Sequence, residues 1–145
     1  WQCFLKEAKK SHDILFIASA GNNNLNIDNN KIYPASFDLE NMIVVSSSTL
    51  FGDLAKGSNF GKESVDFLVN GEQLEVVDHR GVRSITSGSS YAAPRVAAMA
   101  ARYFAKNPDS KILEFKLMLI KRAIKKSNNL VKYGWIPDPL DNYLF

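Results

Sequence analysis

Three short, mostly apolar segments constrain most strongly what this chain can fold into. They span residues 14–18, 42–46 and 65–69. Segments of this length are too short for independent helices, and they are typical of strands that are buried on both faces of a parallel sheet. Because parallel strands are joined by crossover connections, usually helices, the pattern predicts an α/β fold built on a parallel sheet.

Helical patterns occupy the stretches around these segments. We predict a helix at residues 1–8, an alanine-rich helix at residues 92–105, and a third helix that is capped by Asp109 or Ser110. The third helix is expected to bury one stripe of apolar side chains, namely Leu113, Leu117, Ile120 and Ile124.

The segment 86–94 places a serine where a tight turn meets the alanine-rich helix. It reads Thr-Ser-Gly-Ser-Ser-Tyr-Ala-Ala-Pro, with Gly88 allowing a sharp bend and Ser90 opening the helix. Unpaired N–H groups at a helix N-terminus favour developing negative charge, which an acyl-transfer nucleophile needs. Pro94 is expected in the first turn, where it removes no intrahelical hydrogen bond. Ser90 is therefore a candidate nucleophile, and capping or packing is the alternative.

A second polar segment follows the first predicted strand. Residues 19–22 read Ser-Ala-Gly-Asn, and Asn22 begins an asparagine-rich run that reaches Asn30. Ligands of parallel α/β sheets bind beyond the carboxyl ends of the strands, so Asn22 is well placed for chemistry. Its side-chain amide can donate a hydrogen bond to an oxyanion. The alternative is an ordinary polar loop, because asparagine favours turns.

Both segments resemble those of subtilisin-like serine proteases. Residues 88–94 resemble the signature Gly-Thr-Ser-Met-Ala-x-Pro, and residues 19–22 resemble the string Ala-Ala-Gly-Asn. Further strings follow in the family's order: Tyr-Pro-Ala at 33–35, Ser-Asn-Phe-Gly at 58–61, and Tyr-Gly-Trp at 133–135 in place of a Tyr-Gly-x-Gly turn. The chain departs from the family pattern at Ser89, Tyr91, Arg95, Asn70 and Trp135.

The resemblance implies a three-layer α/β/α subtilisin-like fold, of which residues 1–145 are the C-terminal portion of a peptidase S8 domain. It implies a serine endopeptidase in which Ser90 is the nucleophile and Asn22 is the oxyanion-hole donor. It also implies peptide or protein substrates. The residues expected to contact substrate are Ser19, Ala20, Gly21 and Ser89.

The general base of such an enzyme has no counterpart that we can assign in this chain. In this family the triad runs Asp, His, Ser along the sequence, so both partners should precede Asn22. The adjacent His12 and Asp13 lack the family's sequence contexts, and His79 lies in the turn of a hairpin predicted over residues 74–85. We therefore expect the Asp and His from an N-terminal segment of the same domain, or from another chain, and no activity from this chain alone.

Two readings without catalysis stay open. The chain could be a noncatalytic subtilisin-like domain that binds peptide or a partner protein, which the departures at Ser89 and Tyr91 leave room for. An unrelated α/β binding module is the other reading, and it requires the ordered motifs to be a coincidence.

Composition and charge limit which classes of partner and cofactor this chain is expected to bind. The net charge is +3 and the lysines are scattered along the chain, so the charge does not indicate a nucleic-acid partner. No apolar run is long enough to cross a membrane. The single Cys3 excludes an internal disulfide and a multi-cysteine metal site. We expect no required cofactor and no metal site. The resemblance leaves calcium open, but no carboxylate cluster has ligand spacing, and the acidic residues of this region are predicted at the surface: Asp28, Asp38 and Glu40. By resemblance alone, the location would be secreted or in the cell envelope.

Overall fold

The computed structural model describes residues 1–12, 14–127 and 130–137. The helices in these ranges are α1 (Gln2–His12), α2 (Ser89–Lys106) and α3 (Ile112–Arg122). The strands are β1 (Phe16–Ser19), β2 (Met42–Ser48), β3 (Phe67–Asn70), β4 (Leu74–Val77), β5 (Arg83–Thr86) and β6 (Gly134–Ile136). None of the helices in the described ranges combines the length and apolar character that a membrane span requires.

Four strands form a parallel sheet in the order β1-β2-β3-β6. Phe16 of β1 pairs with Met42 of β2, and Val45 of β2 pairs with Phe67 of β3. Every residue of β2 and β3 is buried, as the mostly apolar segments predicted. The prediction of a parallel α/β sheet is confirmed. The remaining strands, β4 and β5, form the predicted hairpin.

Both faces of the sheet are covered, because successive side chains of a strand point to opposite faces. Ile43 and Val45 of β2 pack in one apolar core with residues of α2 and α3. Met42 and Val44 pack in a second core that includes Leu5 of α1. The sheet therefore lies between two layers, and the predicted three-layer α/β/α architecture is confirmed.

The stripe that we predicted for the buried face of α3 is wrong at three of its four residues, since only Ile120 packs against the core, where it is partly buried, and Ile124 is 48% exposed. Leu113 and Leu117 are 51% and 46% exposed, whereas Ile112, Phe115 and Leu119 are buried. The helix carries two apolar stripes side by side, and periodicity alone does not show which one meets the sheet. The predicted cap is also wrong, since the helix follows Lys111, whose backbone N–H donates to the Glu114 carboxylate at 3.1 Å.

The turn predicted at residues 133–135 is a strand for most of its length. Gly134–Ile136 pairs with β3, and Trp135 exchanges two backbone hydrogen bonds with Ile124, at 2.8 and 3.0 Å. Gly134 has a φ of +124°, and a Cβ there would lie 2.5 Å from the carbonyl oxygen of Ile124. The glycine is thus required by a close approach of two backbones and not by a turn.

A nearly buried ion pair joins α3 to the sheet. The Lys116 ammonium lies 3.3 Å from the Asp66 carboxylate, and their side chains are 12% and 9% exposed. Lys116 also donates to the carbonyl oxygen of Met42 at 2.9 Å, and Asp66 accepts the backbone N–H of Val44 at 2.9 Å. Each charge therefore has further hydrogen-bonding partners, which a buried pair needs to offset its desolvation.

We expect Lys116→Met to lower the free energy of unfolding by about 3 kcal/mol, because it leaves the Asp66 carboxylate without its cation. Chemical denaturation of the folded protein measures the change. The matched control is Lys121→Met, at an exposed lysine of the same helix, which should change the stability by less than about 0.5 kcal/mol. Equal stabilities of the two variants would contradict a structural role for this ion pair.

Candidate active site

The carboxyl end of β1 and the N-terminus of α2 meet at one end of the sheet. The loop after β1 carries Asn22, and α2, which packs against β1, β2 and β3, begins at Ser89. Gly88 makes the turn into the helix with a φ of +149°, and a Cβ there would lie 3.3 Å from Nδ2 of Asn22. Glycine is therefore favoured at this position by its backbone angle, and a larger residue would press against the Asn22 amide. After this turn, Ser89 lies beside the loop that carries Asn22.

Asn22 is held in one orientation by Ser89. The Asn22 Oδ1 atom accepts the backbone N–H of Ser89 at 2.9 Å and the Ser89 hydroxyl at 3.0 Å. A backbone N–H can only donate, so the oxygen of the amide must face it. The amide nitrogen of this exposed residue is thereby kept away from Ser89. Asn22 can therefore donate to a group that approaches from outside.

The Ser89 hydroxyl is the centre of a small hydrogen-bond network. It lies 2.7 Å from the Ser19 hydroxyl and accepts the backbone N–H of Gly21 at 3.2 Å. Its one proton goes to Asn22 Oδ1, so the Ser19 hydroxyl must donate to it. Ser89 is fully buried. The network fixes the loop after β1 to the start of α2, and a substrate contact by Ser89 stays a prediction.

Ser90 is exposed in the first turn of α2. N–H groups in the first turn have no intrahelical acceptor, so the backbone N–H of Ser90 can serve as a donor for a ligand. We predicted Pro94 in the first turn of the helix, but it lies in the second turn. Because proline has no N–H, the carbonyl of Ser90 lacks its usual helical partner. The structure thus places an exposed serine with a free first-turn N–H next to the residue that holds Asn22.

The other residues predicted at the site have backbone and side-chain roles within the loop. Ala20 is buried, and its N–H donates to the carbonyl of Val45 at 2.9 Å. Gly21 has a φ of +94°, which favours glycine, and is partly exposed. Contacts of Ser19, Ala20 and Gly21 with substrate stay predictions.

The residues considered as a general base either lie outside the described residues or lie in a turn at the surface. Asp13 and the side chain of His12 lie outside the described residues. His79 is exposed in the β4–β5 turn. In that turn the backbone N–H groups of Val82 and Arg80 donate to the Asp78 carboxylate and lower its pKa. Asp78 therefore has a local role in closing the turn.

The acidic residues considered as calcium ligands have different surroundings. Asp28, which we predicted at the surface, is partly buried, and its carboxylate accepts the backbone N–H groups of Glu63 and Ser64. Burial raises the Asp28 pKa, but the hydrogen bonds from Ser64 and its neighbours outweigh burial and lower it. Asp38 and Glu40 are exposed. Within the described ranges, no three His, Cys, Asp or Glu side chains are grouped to hold a metal ion.

Several known proteins resemble this chain in sequence and in fold. The family model for peptidase S8, described as the subtilase family, matches residues 2–135. A relative from Plasmodium falciparum, "Subtilisin-like protease 2", is 29% identical over 97 residues, which are 67% of this chain and 7% of that protein.

Two solved structures share the fold. A cold-adapted subtilisin-like serine proteinase is 27% identical with a TM-score of 0.79, over 97% of this chain and 50% of its own. The A subunit of an AB5 toxin from E. coli is 23% identical with a TM-score of 0.80, over 96% of this chain and 52% of its own. The chain thus spans about half the length of these structures.

Proposed function

Because the chain belongs to the subtilase family, we propose that it forms the C-terminal part of a subtilisin-type serine endopeptidase domain. The single observation that carries the proposal is the anchoring of Asn22 Oδ1 by Ser89, which turns the amide N–H outward beside the first turn of α2. An outward amide next to an exposed serine at a helix N-terminus can provide the oxyanion donor and the nucleophile of acyl transfer, which also needs a base.

In this proposal, Ser90 Oγ attacks the carbonyl carbon of the scissile peptide. The carbonyl oxygen becomes an oxyanion, which accepts hydrogen bonds from Asn22 Nδ2 and from the backbone N–H of Ser90. A histidine takes the serine proton, gives it to the leaving amine, and leaves an acyl-enzyme that water hydrolyses. That histidine and its aspartate belong to a segment outside this chain.

We propose that the partner segment packs along β1 and the adjacent face of α2. Within the described residues, β1 is the edge strand of the sheet and has a neighbour on one side only. An apolar groove of about 500 Å³ lies between β1 and α2, and its lining includes Leu15, Ile17, Ala97 and Phe104. A parallel edge strand with an apolar groove is unusual at a free surface, because parallel sheets are covered on both faces. The N-terminal half of the protease domain is the occupant that this surface fits.

The experiment that tests the function compares the chain alone with the full-length protein in which it occurs. We expect the isolated chain to hydrolyse no peptide substrate, because it supplies a nucleophile and oxyanion donors without a base. The full-length protein should hydrolyse peptides, and the activity should be lost in Ser90→Ala. An inactive full-length protein that binds peptides would favour the noncatalytic reading. Turnover by the isolated chain that depends on Ser90 would contradict the proposed origin of the base.

A further inference from the structure

Asn59 is buried, and all the hydrogen bonds of its side-chain amide go to the loop that carries Asn22. It is 0% exposed. Its Oδ1 atom accepts the backbone N–H groups of Asn23 and Leu25, both at 2.9 Å, and its Nδ2 atom donates to the carbonyl oxygen of Ala20 at 2.8 Å. The backbone N–H of Asn59 also donates to the carbonyl of Gly21, at 3.0 Å. We propose that Asn59 is a positioning residue that sets where the Asn22 amide meets the oxyanion.

The hydrogen bonds of Asn59 bracket Asn22 on both sides. Two of them reach the residues before Asn22, Ala20 and Gly21, and two reach the residues after it, Asn23 and Leu25. Asn22 itself makes its side-chain contacts with Ser89 and not with Asn59. Asn59 therefore controls the backbone of the loop, while Ser89 controls the rotation of the amide.

Asn59 is in turn fixed to the sheet. The hydroxyl of Ser46, a buried residue of β2, donates to the carbonyl oxygen of Asn59 at 2.5 Å. The loop is held further by the neighbouring segment, since the N–H of Asn24 donates to the carbonyl of Gly57 at 2.7 Å. Asn24 has a φ of +55°, a backbone angle that costs energy outside glycine and needs such support. Through Asn59, the loop of Asn22 is thus connected by hydrogen bonds to the central strand β2.

Asparagine is the side chain that meets all of these demands. The two backbone N–H groups need an acceptor and the Ala20 carbonyl needs a donor, which a single amide provides and an ionised aspartate does not. Gly21 packs closely on this amide, because a Cβ there would lie 2.7 Å from Asn59 Nδ2. The close packing of Gly21 on this amide explains why the loop needs both residues.

This inference rests on the proposed function and makes a distinct prediction within it. A displacement of about 1 Å at a catalytic group lowers turnover about a hundredfold, so Asn59→Ala should lower kcat about 10- to 100-fold and change KM less than about threefold. If Asn59 acts through Asn22, its effect should fall below about threefold once Asn22→Leu has removed the donor. If Asn59→Ala instead acted by a general loss of folding, the two substitutions would be independent, and the kcat of the double variant would fall by the product of the two single losses.

The experiment is a double-mutant cycle in the full-length protein, with kcat and KM measured for wild type, Asn59→Ala, Asn22→Leu and the double variant. The matched control is Asn41→Ala, which removes another buried amide. Asn41 is 1% exposed and donates to the carbonyls of Leu5 and Ile14, away from the site. It should lower the melting temperature and leave kcat within about twofold of wild type. If Asn59→Ala does not fold, Asn59→Asp enters the same cycle, because it keeps the acceptor and loses the donor to Ala20.

Amide hydrogen exchange of residues 20–25 gives a second readout that needs no turnover. Exchange there should accelerate at least about tenfold in Asn59→Ala and stay unchanged in Asn41→Ala. Unchanged exchange in Asn59→Ala, or additive effects in the cycle, would overturn the positioning role while leaving the protease function intact. A full-length protein whose hydrolysis does not depend on Ser90 would overturn the function, and the exchange result would then decide the structural role of Asn59 alone.

Discussion

Replacing Ser90 with alanine in the full-length protein is expected to lower kcat by about a millionfold, the loss known for removal of the serine nucleophile in this family. Ser90 is exposed at the first turn of α2, where the helix N-terminus favours the charge that develops in acyl transfer. Without its hydroxyl no acyl-enzyme can form. Peptide hydrolysis measured under substrate saturation gives the change.

The matched control for this experiment is Ser87→Ala. Ser87 is an exposed serine of the same segment, and its hydroxyl accepts the backbone N–H of Gln73 at 2.9 Å. We expect its removal to change kcat less than about threefold, because the lost hydrogen bond is exposed and joins Ser87 to Gln73 and not to Asn22 or Ser90. Similar losses in Ser87→Ala and Ser90→Ala would contradict the assignment of the nucleophile.

The second large effect is expected for Asn22→Leu. It should lower kcat about 10²- to 10³-fold, the range known for loss of this oxyanion donor in the family, with little change in KM. The substrate carbonyl gains its negative charge only in the transition state, so the amide contributes mainly to the rate. Steady-state kinetics on one peptide substrate separate the two parameters.

Asn23→Leu is the control for the amide. Asn23 is exposed and adjacent in the loop, and it is its backbone N–H that binds Asn59. The substitution keeps that bond, so kcat should stay within about threefold of wild type. An unchanged kcat in Asn22→Leu would mean that Asn22 is an ordinary loop residue. A rise in KM with constant kcat would mean that it contributes to substrate binding alone.

The sheet could be predicted from the sequence because its central strands are buried on both faces. Runs such as residues 42–46 have few alternatives, since a helix would need a longer segment and an exposed strand would alternate. The face of α3 could not be predicted in the same way. Its two apolar stripes are equally periodic, and the packing of Phe115 and Leu119 against the sheet decides between them.

At the site, the motifs predict Ser90 and Asn22, and Ser89 as a substrate contact, but not that Ser89 and Asn59 hold the loop of Asn22. Ser89 and Asn22 are 67 positions apart in the chain, and Asn59 and Asn23 are 36 apart. No local pattern relates residues at such distances, because the fold creates the contact. Nothing in the string at residues 58–61 indicates that the amide of its asparagine is buried under the loop of Asn22.

We propose that Ser90 is the activated nucleophile of a serine protease site. A fluorophosphonate probe tests it directly, because it forms a covalent bond to a serine hydroxyl that a base has activated. Mass spectrometry of the labelled full-length protein should place the adduct on Ser90, with no labelling in Ser90→Ala and retained labelling in Ser87→Ala. An adduct on another serine, or no adduct on a full-length protein that hydrolyses peptides, would contradict the assignment of Ser90 as the nucleophile.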